Sequence, residues 1–235
     1  MLPRVLEPEV MDTAEEAEDY DSMDHSQVNQ RFVEDWHAAR LTGVPQQLRQ
    51  TRLLDVGTGT ALIPIEYCRR FDDLQIVAID LAEEMLKLAR RNVERAGYSD
   101  RIELRLVDAK RIPAADGEFA GVVSNSIIHH IPNPLLSFQE MVRVLAPGGL
   151  LFVRDLMRPE TEPELESLVE TYAGDATPRQ RQLFRQSLHA ALTVEEVGDM
   201  LDQLGLDRDR VQATSDRHWT VNVWNPVERI RIATS

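Results

Sequence analysis

The 235-residue chain has one cysteine and few basic residues. Cys68 alone cannot form an internal disulfide or a cysteine-based zinc cluster, and its position in an apolar helical pattern predicts a core residue. Lysine and arginine together number 26 against 40 acidic residues, for a formal charge of -14. Because this charge would repel a phosphate backbone, we expect no nucleic-acid partner.

Long hydrophobic runs are also lacking. No window approaches the roughly 18 consecutive apolar residues that a membrane span needs, and the acidic N-terminus is unlike a signal peptide. These absences predict no membrane partner and a cytoplasmic location. The hydrophobic content of 43% suffices for the core of one full-sized domain, and no feature of the sequence indicates a particular oligomeric state.

The N-terminal region is strongly acidic. Residues 1–24 carry nine acidic side chains against one basic side chain, Arg4. A solvated arm is one interpretation of such a charge run. However, apolar residues from Tyr20 to Trp36 recur at spacings compatible with helices through about residue 41, which favours docking. We interpret residues 1–50 as a helical arm that forms a lid.

From residue 51 short apolar runs alternate with longer amphipathic ones. The runs RLLDVG, LQIVAID, RIELRLVDA, FAGVVSNS and GLLFVRDL are typical of buried strands. Helical patterns lie between them at about 60–70, 83–96 and 134–145. This alternation predicts an α/β fold, with a parallel sheet covered on both faces by helices, over residues 51–156.

The alternation ends after the fifth strand. Residues 157–192 predict an insertion of two helices, and Thr193 and Glu196 have the spacing of a capping box at the start of another helix. The segments RVQATSD and HWTVNVW are separated by too little chain for a crossover helix, so they predict a hairpin within residues 193–235. We interpret the whole chain as a single domain.

The first strand ends in the glycine-containing stretch LLDVGTGTALIP. Gly57 and Gly59 permit a tight turn close to a ligand, and the following helix starts with unpaired N–H groups, which predicts a nucleotide pocket. A dinucleotide fingerprint would place a third glycine where Leu62 stands, and Asp55 would repel a pyrophosphate. A dehydrogenase is therefore disfavoured. The ammonium and sulfonium groups of S-adenosylmethionine suit Asp55 better.

Two further acids follow the next strands. Asp80 ends the second strand and Asp108 the third, so both are expected at the crevice where parallel sheets bind ligands. Asp80 can accept hydrogen bonds from both ribose hydroxyls, Leu81 would lie beside the base, and Asp108 would reach the adenine amino group. Helix capping explains any one of these acids equally well. It does not explain three acids, counting Asp55, at matching positions.

Residues 51–155 resemble class I S-adenosylmethionine-dependent methyltransferases. The stretch NPLLSFQEMVRVLAPGGLLFVRD resembles the small-molecule branch related to the ubiquinone and menaquinone methyltransferases. The resemblance implies a Rossmann-like, doubly wound, seven-stranded and mostly parallel sheet whose last strand is antiparallel. It also implies cofactor contacts, namely Asp55, Gly57, Thr58 and Gly59 to the methionine portion, Asp80 to the ribose, Asp108 and Ala109 to the adenine, and Asn125 and Ser126 from the fourth strand.

The N-terminal arm carries a second, weaker resemblance. Tyr20 and Asp21 are similar to the Tyr-Asp pair that often opens the N-terminal helix of this family and closes over the cofactor. Simple packing of Tyr20 is an equally weighted alternative.

Two adjacent histidines follow the fourth strand in SNSIIHHIPNP. A methyltransferase must hold its acceptor in line with the methyl group. It needs a base only if the acceptor is protonated, and a histidine with a pKa near 6.5 suits that role. We predict that at least one of His129 and His130, with His129 the first choice, lines the acceptor pocket and acts as a base, while the other braces the IPNP turn; packing is the alternative role for both. No metal site is predicted.

The sequence as a whole predicts methyl transfer from S-adenosylmethionine to a small-molecule acceptor. The alternative is a protein that binds the cofactor without transfer, as a sensor or partner subunit. Polar groups that converge on an enclosed cavity beside the methyl group would favour the enzyme.

Overall fold

The computed structural model describes residues 2–7, 13–22, 26–42 and 52–225. Seven strands form one sheet: β1 Arg52–Val56, β2 Gln75–Asp80, β3 Ile102–Leu106, β4 Phe119–Asn125, β5 Leu145–Leu156, β6 Val211–Ala213 and β7 His218–Trp224. The described helices are α1 Ala14–Ser22, α2 Ser26–Leu41, α3 Leu62–Arg70, α4 Glu83–Ala96, α5 Pro134–Val144, α6 Glu162–Ala173, α7 Pro178–Ala190 and α8 Val194–Gln203. Short 3-10 turns lie at Ile128–His130 and Arg208–Arg210.

The strand order is β3-β2-β1-β4-β5-β7-β6. Each neighbouring pair from β3 to β5 is parallel, while β7 runs antiparallel to both β5 and β6. The predicted Rossmann-like sheet with its antiparallel last strand is therefore confirmed, as is the C-terminal hairpin. The order reverses between β1 and β4, which is where a doubly wound sheet opens a crevice for a ligand.

The register of the parallel strands aligns their carboxyl ends at one edge of the sheet. Val56 of β1 lies opposite Ile79 of β2 and Ser124 of β4, and Asp80 lies opposite Leu106 of β3. The residues that follow these strands consequently meet at one edge of the sheet.

Apolar cores cover both faces of the sheet. One core joins the strands to α5 and α8, and the other joins them to α2, α3 and α4. Leu54 of β1 belongs to the first core and Leu53 to the second, and Leu151 and Phe152 of β5 divide in the same way. This alternation follows from the two-residue period of a strand and explains the nearly continuous apolar runs in the sequence.

The N-terminal arm packs on the sheet through α2. Phe32 is fully buried and its ring meets Phe152 edge to face, with 5.2 Å between the ring centroids. Trp36 meets Tyr67 of α3 in the same way at 4.8 Å. The arm is therefore held on the second core by two aromatic contacts.

Helices α6 and α7 form the predicted insertion and pack on each other. Leu165, Val169 and Leu188 build a third, smaller core with Leu156 at the end of β5. Leu2 packs against the same core, and the backbone N–H of Val5 donates to the carbonyl oxygen of His189 at 3.1 Å. Residues 2–7, which we call the N-terminal segment, are thus anchored beside the insertion.

No helix in the described ranges has both the length and the apolar character needed to cross a membrane. The capping box predicted at the start of α8 is confirmed, since the Glu196 N–H donates to Thr193 Oγ1 and the Thr193 N–H donates to Glu196 Oε2.

The packing of α2 can be tested by Phe32→Ala. We expect this change to lower the free energy of unfolding by about 3–5 kcal/mol, because it removes a fully buried ring, as measured by urea denaturation followed by circular dichroism. The control is Val28→Ala, on the same helix at a side chain that is 49% exposed, for which we expect a change within about 0.5 kcal/mol. Equal effects of the two substitutions would show that α2 is not docked.

Candidate functional site

A glycine turn connects β1 to α3. Gly57 and Gly59 have φ angles of +74° and +54°, in the left-handed region that favours glycine. The backbone N–H groups of Gly57 and Thr58 both donate to the carbonyl oxygen of Ile79. A Cβ atom at Gly57 would lie 2.2 Å from Cγ2 of Ile127. The turn therefore requires glycine both for its conformation and for its close approach to the segment after β4.

Asp80, the last residue of β2, braces this turn. Its Oδ2 accepts a 2.7 Å hydrogen bond from the N–H of Gly59, and its Oδ1 accepts a 2.9 Å bond from the N–H of Ala82. Burial raises the pKa of Asp80, and the backbone hydrogen bonds partly offset that effect. Since a carboxylate offers about four lone-pair sites, Asp80 keeps acceptor capacity for a ligand.

The loop after β3 carries the third acid. The sequence predicted Asp108 at the end of β3, but the strand ends at Leu106 and Asp108 lies two residues further on. Its Oδ1 accepts a hydrogen bond from the N–H of Lys110 and lies 3.0 Å from Nζ of the same residue. Leu106, the last residue of β3, has an exposed side chain.

Ser126, just after β4, has a φ of +58°, which is unusual for a residue other than glycine. Its N–H donates a 2.9 Å hydrogen bond to the carbonyl oxygen of Arg154 in β5. Such backbone strain costs free energy and is found preferentially at functional sites.

A cleft opens at this edge of the sheet, with about 880 Å³ of space counted out to its mouth. Nine of the residues predicted from the sequence line it: Gly57, Gly59, Asp80, Leu81, Asp108, Ala109, Asn125, Ser126 and His130. The rest of the lining is mostly apolar and was missed, because these side chains carry no motif: Ile79, Ala82, Met85, Val107, Lys110, Ile127 and Ile131.

Four predicted residues do not line this cleft as described. Thr58, within the glycine turn, is buried, and His129 is buried beside His130 with 4% of its surface exposed. Tyr20 belongs to α1, but its side chain lies outside the described part of the structure. Asp55 is the fourth case.

Asp55 lies inside β1 and is almost fully buried. Its Oδ2 has no hydrogen-bond partner. Burial, reinforced by the negative charge of Asp80, raises the pKa of Asp55 to about 7. Asp55 does not line the cleft, so the expected direct contact with a methionine portion is not seen as a lining contact. Its carboxyl oxygen without a partner, Oδ2, would be stabilised by a cationic neighbour.

The two histidines have different surroundings. His129 Nδ1 lies 2.5 Å from Oδ1 of Asp155, which is fully buried at the end of β5. The other carboxylate oxygen, Oδ2, accepts hydrogen bonds from the N–H groups of Ile128 and His129. Burial alone would lower the pKa of His129 and raise that of Asp155, but the attraction between the two side chains outweighs burial and shifts both pKa values the other way. His129 and Asp155 therefore form a buried ion pair.

Glu7, from the N-terminal segment, joins the histidines. Its Oε1 lies 3.0 Å from Nδ1 of His130 and 3.5 Å from Nε2 of His129. Burial would raise the pKa of Glu7, but His130 and His129 lower it. Sequence reasoning missed this residue because about 120 positions separate it from the histidines, and it is one of many acids in the arm.

Within the described ranges, Glu7, His129 and His130 also form a group whose ligand atoms lie within 4.8 Å of one another. Carboxylate and imidazole are ligands that Zn²⁺ accepts. The cluster can therefore act either as a chain of proton-holding groups or as a site for a divalent metal.

Residues 54–153 match a family model described as a methyltransferase domain. A demethylmenaquinone methyltransferase of Desulfitobacterium hafniense is 29% identical over 68% of this chain and 67% of its own length. A ubiquinone biosynthesis O-methyltransferase of Xanthomonas oryzae pv. oryzae is 27% identical over 82% of this chain and 81% of its own. Several other curated relatives match over less than half of their length.

Solved structures share the fold. A protein of Methanococcus maripaludis assigned to the S-adenosylmethionine-dependent methyltransferases superimposes with a TM-score of 0.70 at 18% identity, covering 96% of this chain and 99% of that one. At this identity the likeness is one of fold, and it extends beyond the matched domain to the arm, the insertion and the hairpin.

The buried ion pair can be tested by Asp155→Ala. We expect a loss of about 3–5 kcal/mol in the free energy of unfolding, because His129 would be left charged and buried without its partner. The pair contributes fully above the ordinary pKa of an aspartate, 3.8, and below that of a histidine, 6.5. At pH values below this window the contribution decreases because Asp155 is protonated. At pH values above it the contribution decreases because His129 loses its proton.

Urea denaturation of both proteins at pH 5 and at pH 9 measures this difference. Asp116→Ala serves as the control, since Asp116 is 78% exposed and pairs with Arg143 at the surface, where we expect at most about 1 kcal/mol. A loss at pH 5 no larger than that of the control would contradict the buried pair.

Proposed function

We propose that the chain is an S-adenosylmethionine-dependent methyltransferase, as its methyltransferase-domain match and curated relatives support, and that it transfers the methyl group of this cofactor to a small-molecule acceptor held beside His130. The observation that carries the proposal is the cleft at the carboxyl ends of β1 to β4, which gathers the glycine turn, two acids and His130 in one lining. The function requires cofactor and acceptor to meet at such a place.

The residues present fit the cofactor, which is S-adenosylmethionine. The glycine turn leaves no room for a side chain at Gly57, and Asp80 keeps acceptor capacity for ribose hydroxyls. Oδ2 of Asp55, which has no hydrogen-bond partner, would be stabilised by a cationic group. We assign the methionine portion to Asp55, Gly57, Thr58 and Gly59, the ribose to Asp80, and the adenine to Leu81, Asp108 and Ala109. Asn125, Ser126 and Tyr20 complete the proposed cofactor contacts.

When bound, the cofactor supplies a methyl group activated by the sulfonium. The protein's task is to hold the acceptor in line with it, and such positioning contributes on the order of 7 to 11 kcal/mol to lowering the barrier. The apolar lining, including Ile127, Ile131 and Met85, supports this by excluding water from the reacting groups.

Of the two histidines, His130 is the proposed base. It lines the cleft, and only one of its ring nitrogens, Nδ1, lies at Glu7. His129 has Nδ1 at Asp155 and Nε2 near Glu7, so neither nitrogen is available to an acceptor. We therefore assign His129 to bracing the turn, and His130 to taking the acceptor's proton.

The relatives named for demethylmenaquinone and ubiquinone biosynthesis support an organic acceptor of small size. An acceptor with a hydroxyl group would release a proton on methylation, which gives the base a role. The formal charge of -14 argues against a polyanionic acceptor such as nucleic acid.

Calorimetric titration tests the cofactor assignment. We expect S-adenosylmethionine and S-adenosylhomocysteine to bind the wild-type protein with micromolar affinity and NADH not to bind. Asp80→Asn should weaken both by about 10- to 100-fold, because it removes a charged hydrogen-bond acceptor worth about 1.5–3 kcal/mol. Asp72→Asn, in the exposed turn before β2, should change nothing. Absence of binding by the wild type would overturn the proposal.

A transfer assay tests the base. With a panel of hydroxylated aromatic acceptors and methyl-labelled cofactor, we expect His130→Gln to lower turnover by about 10²- to 10⁴-fold and to leave cofactor affinity unchanged. His37→Gln, on α2 against Phe71, is the matched control and should keep full turnover. Unchanged turnover of His130→Gln would assign His130 to packing. Tight cofactor binding without transfer to any acceptor would favour the sensor alternative.

A further inference from the structure

We propose that Glu7 is a positioning residue for His130: its carboxylate holds a proton on Nδ1 of the imidazole and leaves Nε2 as the nitrogen that accepts a proton from the acceptor. The role of Nε2 rests on the methyl transfer proposed above. The contact between Glu7 and His130, and the position of the imidazole proton, do not depend on it.

The N-terminal segment holds Glu7 in place by several contacts. Arg4 donates hydrogen bonds to the carbonyl oxygens of Ala190, His129 and Ile131 at 2.7, 3.1 and 3.0 Å. Ser187 Oγ lies 3.3 Å from the Glu7 carboxylate. The segment thereby bridges the insertion and the histidine turn, and the Glu7 side chain is only 8% exposed.

The four side chains form one chain of alternating acid and imidazole. Asp155 contacts His129 at 2.5 Å, His129 approaches Glu7 at 3.5 Å, and Glu7 contacts His130 at 3.0 Å. The His129 imidazolium, held charged by Asp155, lies beside the Glu7 carboxylate and favours its ionised form. Glu7 therefore presents a negative charge to His130, the only member of the chain that lines the cleft.

A carboxylate at this position determines which nitrogen carries the proton. A neutral imidazole has one N–H donor and one bare nitrogen, and an ionised carboxylate can only accept. The buried Nδ1 of His130 has no aligned hydrogen bond in this structure, and Glu7 Oε1, at 3.0 Å, is the acceptor beside it. A proton held on Nδ1 by this carboxylate leaves Nε2 bare. The aspartate of the serine-protease triad acts on its histidine in the same way.

A divalent metal at Glu7, His129 and His130 is the competing occupant. Coordination to Nε2 of His129 would displace the proton there, so a divalent ion would add one net positive charge where Arg4 and protonated His129 already balance the carboxylates of Asp155 and Glu7. The charges of these four side chains already balance when His129 is protonated and no metal is bound. This balance favours a proton over a metal ion in the cluster.

Nuclear magnetic resonance of ¹⁵N-histidine-labelled protein reads the position of the proton without any acceptor. Signals are assigned with His129→Gln and His130→Gln, and the ring signals are titrated to find the pH at which His130 is neutral. We expect wild-type His130 to carry its proton on Nδ1. In Glu7→Gln the proton should move wholly or partly to Nε2, since an amide can donate to Nδ1. Glu15→Gln, the same change at an exposed arm residue paired with Arg179, should leave the signals unchanged.

The wild-type spectrum alone can overturn the proposal, so the test does not depend on the folding of a variant. A proton on Nε2 in the wild type, or unchanged His130 signals in Glu7→Gln, would do so. The metal is tested in parallel: treatment with EDTA should leave the ring signals of the wild type in place. Signals of both histidines that shift with EDTA and return with equimolar Zn²⁺ would identify a metal site instead.

Kinetics separate this proposal from the function on which it draws. We expect Glu7→Gln to bind S-adenosylmethionine as the wild type does, and to lower kcat at least about 10-fold with an unchanged KM, because the imidazole is in the wrong tautomer. A purely structural role would instead change stability and KM. If the wild type fails to bind S-adenosylmethionine, the proposed function fails, while the resonance experiment still decides the role of Glu7.

Discussion

The parallel pairing of β1 to β5 is the constraint on which the site depends. Backbone hydrogen bonds fix the register in which Val56, Ile79 and Ser124 lie side by side, so the segments that follow these strands leave the sheet at one edge. Side chains far apart in sequence then converge without any direct attraction between them. The cleft is a consequence of this register, because the helices that return the chain cover the faces of the sheet and leave its edge open.

Burial of charge shapes the second part of the site. An isolated ionised group inside a protein costs several kcal/mol, and it persists only when it is paired. Asp155 obtains His129 and three backbone N–H groups, among them that of Leu156. Glu7 obtains the two imidazoles. The buried charge of Asp155 in β5 is thus linked through His129 and Glu7 to His130 at the cleft. The N-terminal segment, which carries Glu7, belongs to the same network.

The helices outside the alternating strands and helices pack on separate cores. Helix α2 rests on the second core through Phe32 and Trp36, while α6 and α7 have a core of their own joined to the end of β5. The N-terminal segment links the insertion to the histidine turn. The sheet is thus joined to elements from separate stretches of chain, and variation of such elements lets one fold carry different sites.

The sequence by itself determined the sheet, its helices and nine of the residues that line the cleft, because these follow from local patterns: two-residue and 3.6-residue periods, glycines where φ is positive, and acids at strand ends. Only the tertiary structure decided that Asp55 lies behind the turn, that His130 and not His129 faces the cleft, and that Glu7 stands between them. Adjacent histidines are equivalent in a sequence, and an acid in an acidic arm is one among many. Their roles depend on which groups are brought to distances of 2.5 to 3.5 Å after folding, and such distances between remote residues have no local signal.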